Sequence, residues 1–261
     1  MQPNLLRQRL AAGLPTLGTR LHASWPAVVE AVGHTGLFDY VEFLAEYAPY
    51  DAYALENFCR AADLHKMSAM IKLDYASRQS VVQAVSSGFH SVLFANVRSA
   101  ADVQECVHLV RPETPEDGGE YGAVMGRFTY MEYGGGPAYV QALRDLVVAV
   151  MIEKRQAVDA LPAILDLPGV DLIQFGPADY SMSTGQYADR RAPEIRAVER
   201  QVIAACLKAG IPPRVELRTP DQAKEFLDLG VRHFNLGADL TILYTWLRQN
   251  GEALRKALEG N

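Results

Sequence analysis

The sequence predicts a single-domain closed (β/α)8 barrel, a TIM barrel spanning residues 1–261. Three observations support this: eight short β-branched or aliphatic runs, a helical pattern between successive runs, and no glycine-rich turn after the first of them. The runs are Pro15 to Leu21, Tyr40 to Ala45, Ser68 to Asp74, Ser91 to Val97, Val147 to Glu153, Asp171 to Gly176, Pro212 to Leu217 and His233 to Asp239. A doubly wound open sheet is the competing architecture. It needs a reversal of strand order and usually a glycine-rich first turn, and "TRLHASW" after the first run has neither.

The helical stretches carry their own end signals. The amphipathic start "MQPNLLRQRLAAGLP" holds Arg7 and Arg9, which interrupt any signal-like apolar run. Ser24, Ser77 and Ser99 stand where N-caps open helices, because a short hydroxyl side chain accepts from an unpaired first-turn amide. Gly88 and Gly210 stand where left-handed C-caps belong. The clearest helix begins at Thr219, with Pro220 at its first position and Gln222 completing a capping box. Its apolar side is Ala223, Phe226 and Leu227, and Gly230 ends it.

One connection is long. Residues 112–137, "PETPEDGGEYGAVMGRFTYMEYGGGP", separate the fourth helix from the fifth strand. Tyr121, Phe128, Tyr130 and Tyr133 predict an ordered lid or interface segment, with Gly134, Gly135 and Gly136 as a hinge.

Composition narrows the function. Lys and Arg number 25 against 31 Asp and Glu, a net charge of −6, and there is no basic run, which argues against a nucleic-acid partner. No apolar stretch approaches the roughly 18 to 20 residues that span a bilayer, so the reading is a soluble, cytoplasmic protein with no membrane partner. Cys59, Cys106 and Cys206 are far apart in helical stretches and read as core thiols, not as a disulfide framework or a zinc site.

In such a barrel the reactive groups lie at the carboxyl ends of strands. Those ends offer Arg20, Glu46, Lys72, Asp74, Asn96, Glu153, Asp179, Glu216, Arg218, Asn235 and Asp239, an inventory rich in carboxylates. His22 lies just past the first strand, and no Ser or Cys stands beside a base, which weakens acyl-transfer readings. Glu153 ends "VVAVMIE" and Asp179 follows the next strand through "FGPAD". Neighbouring strands lie about 4.8 Å apart, so the two acids can grip one octahedral cation and leave positions for water or a chelating substrate. The alternative is that each acid caps a helix or pairs with Lys or Arg at the rim.

Together, "NLLRQRLAAGLPTLGT", "GLFDYVEFLAEYAPYD", "VMIEKRQAVDAL" and "GVDLIQFGPADYSMSTG" resemble the HpcH/HpaI family of metal-dependent pyruvate aldolases, from about Asn4 to Leu240, the last two segments most specifically. The resemblance implies a homo-oligomer, hexamer or trimer, usually a hexamer built by exchange of the final helix. It implies a divalent ion (Mg2+, Mn2+ or Co2+) on Glu153 and Asp179. It also implies a pyruvate-like 2-oxo acid chelating that ion, its carboxylate received by the turn Gly176, Pro177, Ala178 and Asp179, with an aldehyde as second partner.

The departures matter as much as the matches. Where the family shows Asp-x-Glu-His, this chain reads Leu44, Ala45, Glu46, Tyr47; Lys72 replaces an Arg, Ser86 an acid and Met151 a Gln. The expected activity is a metal-dependent carbon–carbon lyase acting through a pyruvate-type enolate. Lys72 would stabilise oxyanion charge, and Tyr47 or a water near Glu46 would handle protons. Alternative roles are a rim aromatic for Tyr47, an ion pair with Asp74 for Lys72, a helix N-terminal charge for Glu46, and replacement of the lost histidine for His22. Two further readings stay open: Lys72 as a Schiff-base nucleophile, or oxaloacetate-type decarboxylation, and a barrel that binds metal and 2-oxo acid without turnover.

Overall fold

A computed structural model of the chain describes residues 3–75, 77–129 and 132–260; Tyr130 of the long connection lies outside them. Eight parallel strands close into a barrel in sequence order: β1 Thr16–Leu21, β2 Tyr40–Phe43, β3 Ser68–Asp74, β4 Ser91–Ala95, β5 Val147–Ile152, β6 Leu172–Phe175, β7 Pro213–Leu217 and β8 His233–Ala238. The open-sheet alternative is excluded, because β1 pairs with both β2 and β8. No helix among the described residues is long and apolar enough to cross a membrane.

Side chains alternate across a strand, so every second residue enters the barrel. Tyr40, Met70, Leu93, Val147, Ala149, Met151 and Leu172 form a buried inner cluster, joined from below by Leu6 of the N-terminal helix Leu5–Ala11. Asn4 fastens that helix by donating to the carbonyls of His90 and Asp145 at 2.8 Å each. The other strand faces pack against the outer helices in a larger apolar layer. Cys59, Cys106 and Cys206 are buried in helices Ala52–Leu64, Ala100–Val110 and Pro193–Ala209.

Midway up the barrel the apolar filling gives way to a polar layer. Arg214 is fully buried; its Nη1 donates to Glu42 Oε2 at 2.5 Å and its Nε to Gln174 Oε1 at 2.7 Å. Asn235 Nδ2 also donates to Glu42, at 2.9 Å. Gln174 Nε2 reaches upward to Glu216 Oε1 at 2.6 Å, and Arg20 closes on the other Glu216 oxygen at 2.5 Å. This chain of hydrogen bonds links the barrel interior to its mouth.

The capping signals resolve unevenly. Gly88 and Gly210 are left-handed C-caps, Ser99 forms a full capping box with Asp102, and Thr219 forms one with Gln222. Ser77 caps by position but spends its hydroxyl on Ser80. Ser24 is not a cap: Trp25 takes that place and the helix is Pro26–Gly33, because Pro26 suits a first helical position. In helix Ala223–Asp228, Phe226 is buried but Leu227 is half exposed.

The described part of the long connection packs against the outer helices. It runs down the outer face of helix Arg78–Ser87, with Glu120 against Arg78 at one end and Arg127 paired with Asp63 at the other. Tyr121 and Phe128 are buried beneath it, whereas Met125 and Tyr133 remain exposed. Gly134 touches the Tyr139 ring, where a Cβ would collide, so it serves close packing.

Candidate metal and substrate site

Inward parity brings Arg20, Lys72, Glu153 and Glu216 to one layer at the carboxyl ends of β1, β3, β5 and β7. Glu153 follows Ile152, which is in register with Phe175 of β6. Gly176 comes next on β6, and Asp179 lies in the first turn of helix Pro177–Ser183. A Cβ added at Gly176 would collide with Glu153, 2.6 Å from its Cβ and 2.7 Å from its Oε2, so only glycine lets the Glu153 carboxylate pack this closely against the turn.

Glu153 is buried (2% exposed), and its Oε1 accepts the Asn96 backbone N–H at 2.7 Å. Burial raises its pKa, the nearby Lys72 ammonium and the Asn96 amide pull it back, and Asp179 raises it further. A buried carboxylate held above its usual range favours a partner cation. Asp179 has a half-exposed side chain and pairs with Lys154 Nζ at 2.8 Å, so the rim-pair alternative holds for Asp179 in this state. Both candidate ligands offer hard oxygen donors, and an ammonium already sits on one of them. The pair fits a hard divalent ion completed by water or substrate. No cluster of three or more His, Cys, Asp or Glu suited to a metal occurs among the described residues, so the protein would supply only part of the coordination.

Lys72 is buried, with Nζ 2.6 Å from Glu46 Oε2 in an ion pair whose angle is poor for a directed hydrogen bond. The alternative pair with Asp74 does not form: Asp74 accepts from Asn96 Nδ2 at 3.1 Å, and the same amide donates to Glu46 Oε1 at 3.0 Å. Glu46 is therefore a partner of Lys72 and not a free helix-terminal charge. Burial alone would lower the Lys72 pKa, but Tyr47, Glu153 and Glu46 around it outweigh burial and hold it above the usual lysine range. In this arrangement Lys72 is held as an ammonium, and a Schiff base would require it to lose that proton.

Tyr47 stands half exposed over this group, its ring centroid 5.3 Å from Lys72 Nζ. Burial raises its pKa, Lys72 opposes that, and Glu216 adds to it. The phenol therefore stays protonated, able to donate but not to act as a base. His22 lies 5.5 Å from the Tyr47 ring, with Nδ1 3.4 Å from Asp239 Oδ1.

In the Gly176 to Asp179 turn, the Gly176 N–H donates to Ile152 O at 3.1 Å and Pro177 has no N–H. Neither can receive a carboxylate, and the turn's donors reduce to Ala178 and Asp179, first-turn amides that a helix leaves without an intrahelical partner. Ser86 is bonded to its own helix at Gln83 O, and Met151 is buried in the inner cluster. Sequence reasoning placed Asn96 among the strand ends without a role. Its signal is conformational: a left-handed backbone (φ 64) that turns its N–H toward Glu153 and its amide between Glu46 and Asp74.

Beside the mouth, a cleft of about 210 Å³ is lined by Pro177, Glu216, Arg191, Arg196, Glu199 and Phe226, among others. It opens between the loop after β6 and the helix after β7.

A closed parallel barrel with two acids at neighbouring strand ends and a buried lysine beside them fits an enzyme that makes or breaks carbon–carbon bonds. The chain matches the HpcH/HpaI aldolase/citrate lyase family over residues 21–245, and it belongs to that family. It is 28% identical over 241 residues to a 4-hydroxy-2-oxo-heptane-1,7-dioate aldolase of Escherichia coli, covering 92% of this chain and 90% of the relative. It is also 28% identical over 256 residues to a hydroxypyruvate/pyruvate aldolase of Paraburkholderia phytofirmans, covering 97% and 98%. Among solved structures, a family protein from Burkholderia cenocepacia superposes with a TM-score of 0.85 at 28% identity, covering 97% of this chain and 100% of that one. An aldolase from Desulfitobacterium hafniense shares the fold with a TM-score of 0.89 at 22% identity, covering 97% of each chain.

Proposed function

We propose that this protein makes or breaks a carbon–carbon bond next to the keto group of a pyruvate-like 2-oxo acid, with an aldehyde as second partner and Glu153 and Asp179 as carboxylate ligands of a divalent cation such as Mg2+, Mn2+ or Co2+. One observation carries this reading. Glu153 is buried and raised in pKa, packed closely against Gly176, and Asp179 follows on the adjacent strand's turn. Such a cation supplies Lewis-acid polarisation of the keto and carboxylate oxygens, which stabilises enolate charge.

The chain's own groups do the rest. The amides of Ala178 and Asp179 orient the substrate carboxylate, and Pro177 holds that turn. Lys72 presents its ammonium to the developing oxyanion, held in place by Glu46. Tyr47 stays protonated above it and donates to substrate oxygen. Aldol chemistry and decarboxylation of an oxaloacetate-type acid share this enolate. Proton NMR of pyruvate in D2O with Mg2+ tests the reading: methyl protons exchange well above the metal-only rate, and EDTA stops it. Binding of pyruvate with no exchange would contradict it.

A cytoplasmic homo-oligomer built by exchange of the last helix belongs to the same proposal. Helix Asp239–Leu258 buries no residue on its own barrel, although Leu243, Trp246, Leu247 and Leu254 line it. Phe234 and Leu236 of β8 are only partly buried. A second copy's helix laid over them satisfies both surfaces.

A further inference from the structure

The mouth described so far lacks a base. Lys72 is charged and Tyr47 protonated at neutral pH, Glu46 is committed to Lys72 and Asn96, and Glu153 and Asp179 are assigned to the cation. Glu216 is held by both Arg20 and Gln174. Forming an enolate from a 2-oxo acid that keeps its methyl group requires a group to accept a carbon-bound proton.

We propose that His22 is that group, positioned by Asp239; this rests on the enolate reading above. The two residues meet where the barrel closes. β1 and β8 pair with a register shift between Gly18 and Arg20, and Gly237 takes a left-handed backbone (φ 72) that few side chains tolerate. Bulges of this kind re-aim side chains at barrel rims. Here the Asp239 carboxylate accepts the backbone N–H of His22 at 3.0 Å and of Ala23 at 2.9 Å, tying the loop after β1 to the start of the last helix. The same carboxylate faces His22 Nδ1 at 3.4 Å. Such contacts are commonly long before substrate binds and tighten in the complex.

An Nδ1–H donated to Asp239 leaves the Nε2 lone pair as the base, the arrangement in which a carboxylate fixes the tautomer of a catalytic imidazole. The ring stands against Tyr47, which stands against Lys72, so it shares the cavity with the group assigned to the oxyanion. In the step, Nε2 takes one proton from the substrate methyl carbon. The C–H electron pair becomes the new C–C double bond, the keto π pair moves onto oxygen, and imidazolium and enolate result. The reverse transfer regenerates both.

His22→Gln and His22→Gly, the full-length protein with Mg2+, and pyruvate in D2O form the test. His22→Gln lowers methyl exchange about 100-fold or more while pyruvate affinity, measured by calorimetry, stays unchanged. Added imidazole restores exchange to His22→Gly. In metal-free protein, 15N spectra of labelled histidine show His22 protonated on Nδ1, and Asp239→Asn shifts that tautomer balance. Exchange by His22→Gln within about threefold of wild type, or an Nε2-protonated His22, overturns the assignment and leaves the enolate reading standing. A wild type that exchanges no protons removes both.

Discussion

Lys72→Met separates charge from packing at the centre of the site, since it keeps the stem that lies in the barrel mouth and deletes only the ammonium. Removing one preorganised group from a developing oxyanion costs about 10² to 10³ in kcat, or roughly 2.7 to 4 kcal/mol. The cost in stability is smaller. Breaking a fully buried ion pair costs about 3 to 5 kcal/mol, but the Glu46 side chain is 20% exposed and keeps its Asn96 hydrogen bond. About 2 kcal/mol is therefore expected, a fall in Tm of roughly 4 to 8 °C for a domain of this size. Exchange of pyruvate methyl protons at saturating Mg2+ measures the first quantity and a thermal melt the second. Lys72→Arg, which keeps the charge without the point geometry, falls between wild type and Lys72→Met. A Lys72→Met protein that exchanges within threefold of wild type refutes the oxyanion role. A pyruvate adduct trapped on Lys72 by borohydride would move the chemistry to a Schiff base.

Three further outcomes follow from the same geometry. Glu42→Ala strands the fully buried Arg214 guanidinium and lowers urea-melt stability by about 3 to 5 kcal/mol. The double variant Glu42→Leu/Arg214→Met recovers most of that, and a single variant as stable as wild type would contradict the pairing. Gly176→Ala places a Cβ against Glu153 Oε2 and weakens Mn2+ binding at least about tenfold with the fold retained, read by calorimetry; unchanged affinity would refute the packing argument. Burial in the cleft pushes the Glu199 carboxyl up to about 7. The folded state therefore holds its proton more tightly than the unfolded chain does, and stability is lost as pH rises from about 4.5 to 7. Glu199→Gln consequently raises Tm at pH 8 and leaves it nearly unchanged at pH 4; an equal effect at both would exclude the shift.

The barrel was legible because most of its strands are buried on both faces and read as short aliphatic runs: all eight lie within two residues of the runs seen in the sequence, and β3 matches Ser68 to Asp74 at both ends. The placement of Glu153 and Asp179 at neighbouring strand ends was legible for a related reason, since residues directly after a strand fall at the barrel mouth. Partners across the barrel were not. Lys72 pairs with Glu46 and not with the nearer-in-sequence Asp74, because the left-handed backbone of Asn96 brings its amide to both acids. Arg214 and Glu42 are 172 residues apart, and nothing local in "PPRVEL" marks an arginine inside a closed barrel. The long connection carries aromatic residues that fit either a lid or an interface segment, and its contacts with Arg78 and Asp63 lay its described part along the outer helices.

The cation site is tested most directly by titrating Mn2+ into the wild type, Glu153→Ala and Asp179→Ala, each shown to be folded by its melt. The wild type binds one ion per chain, and each variant loses at least about 100-fold in affinity together with pyruvate proton exchange. Folded variants that keep both wild-type affinity and exchange would contradict the account.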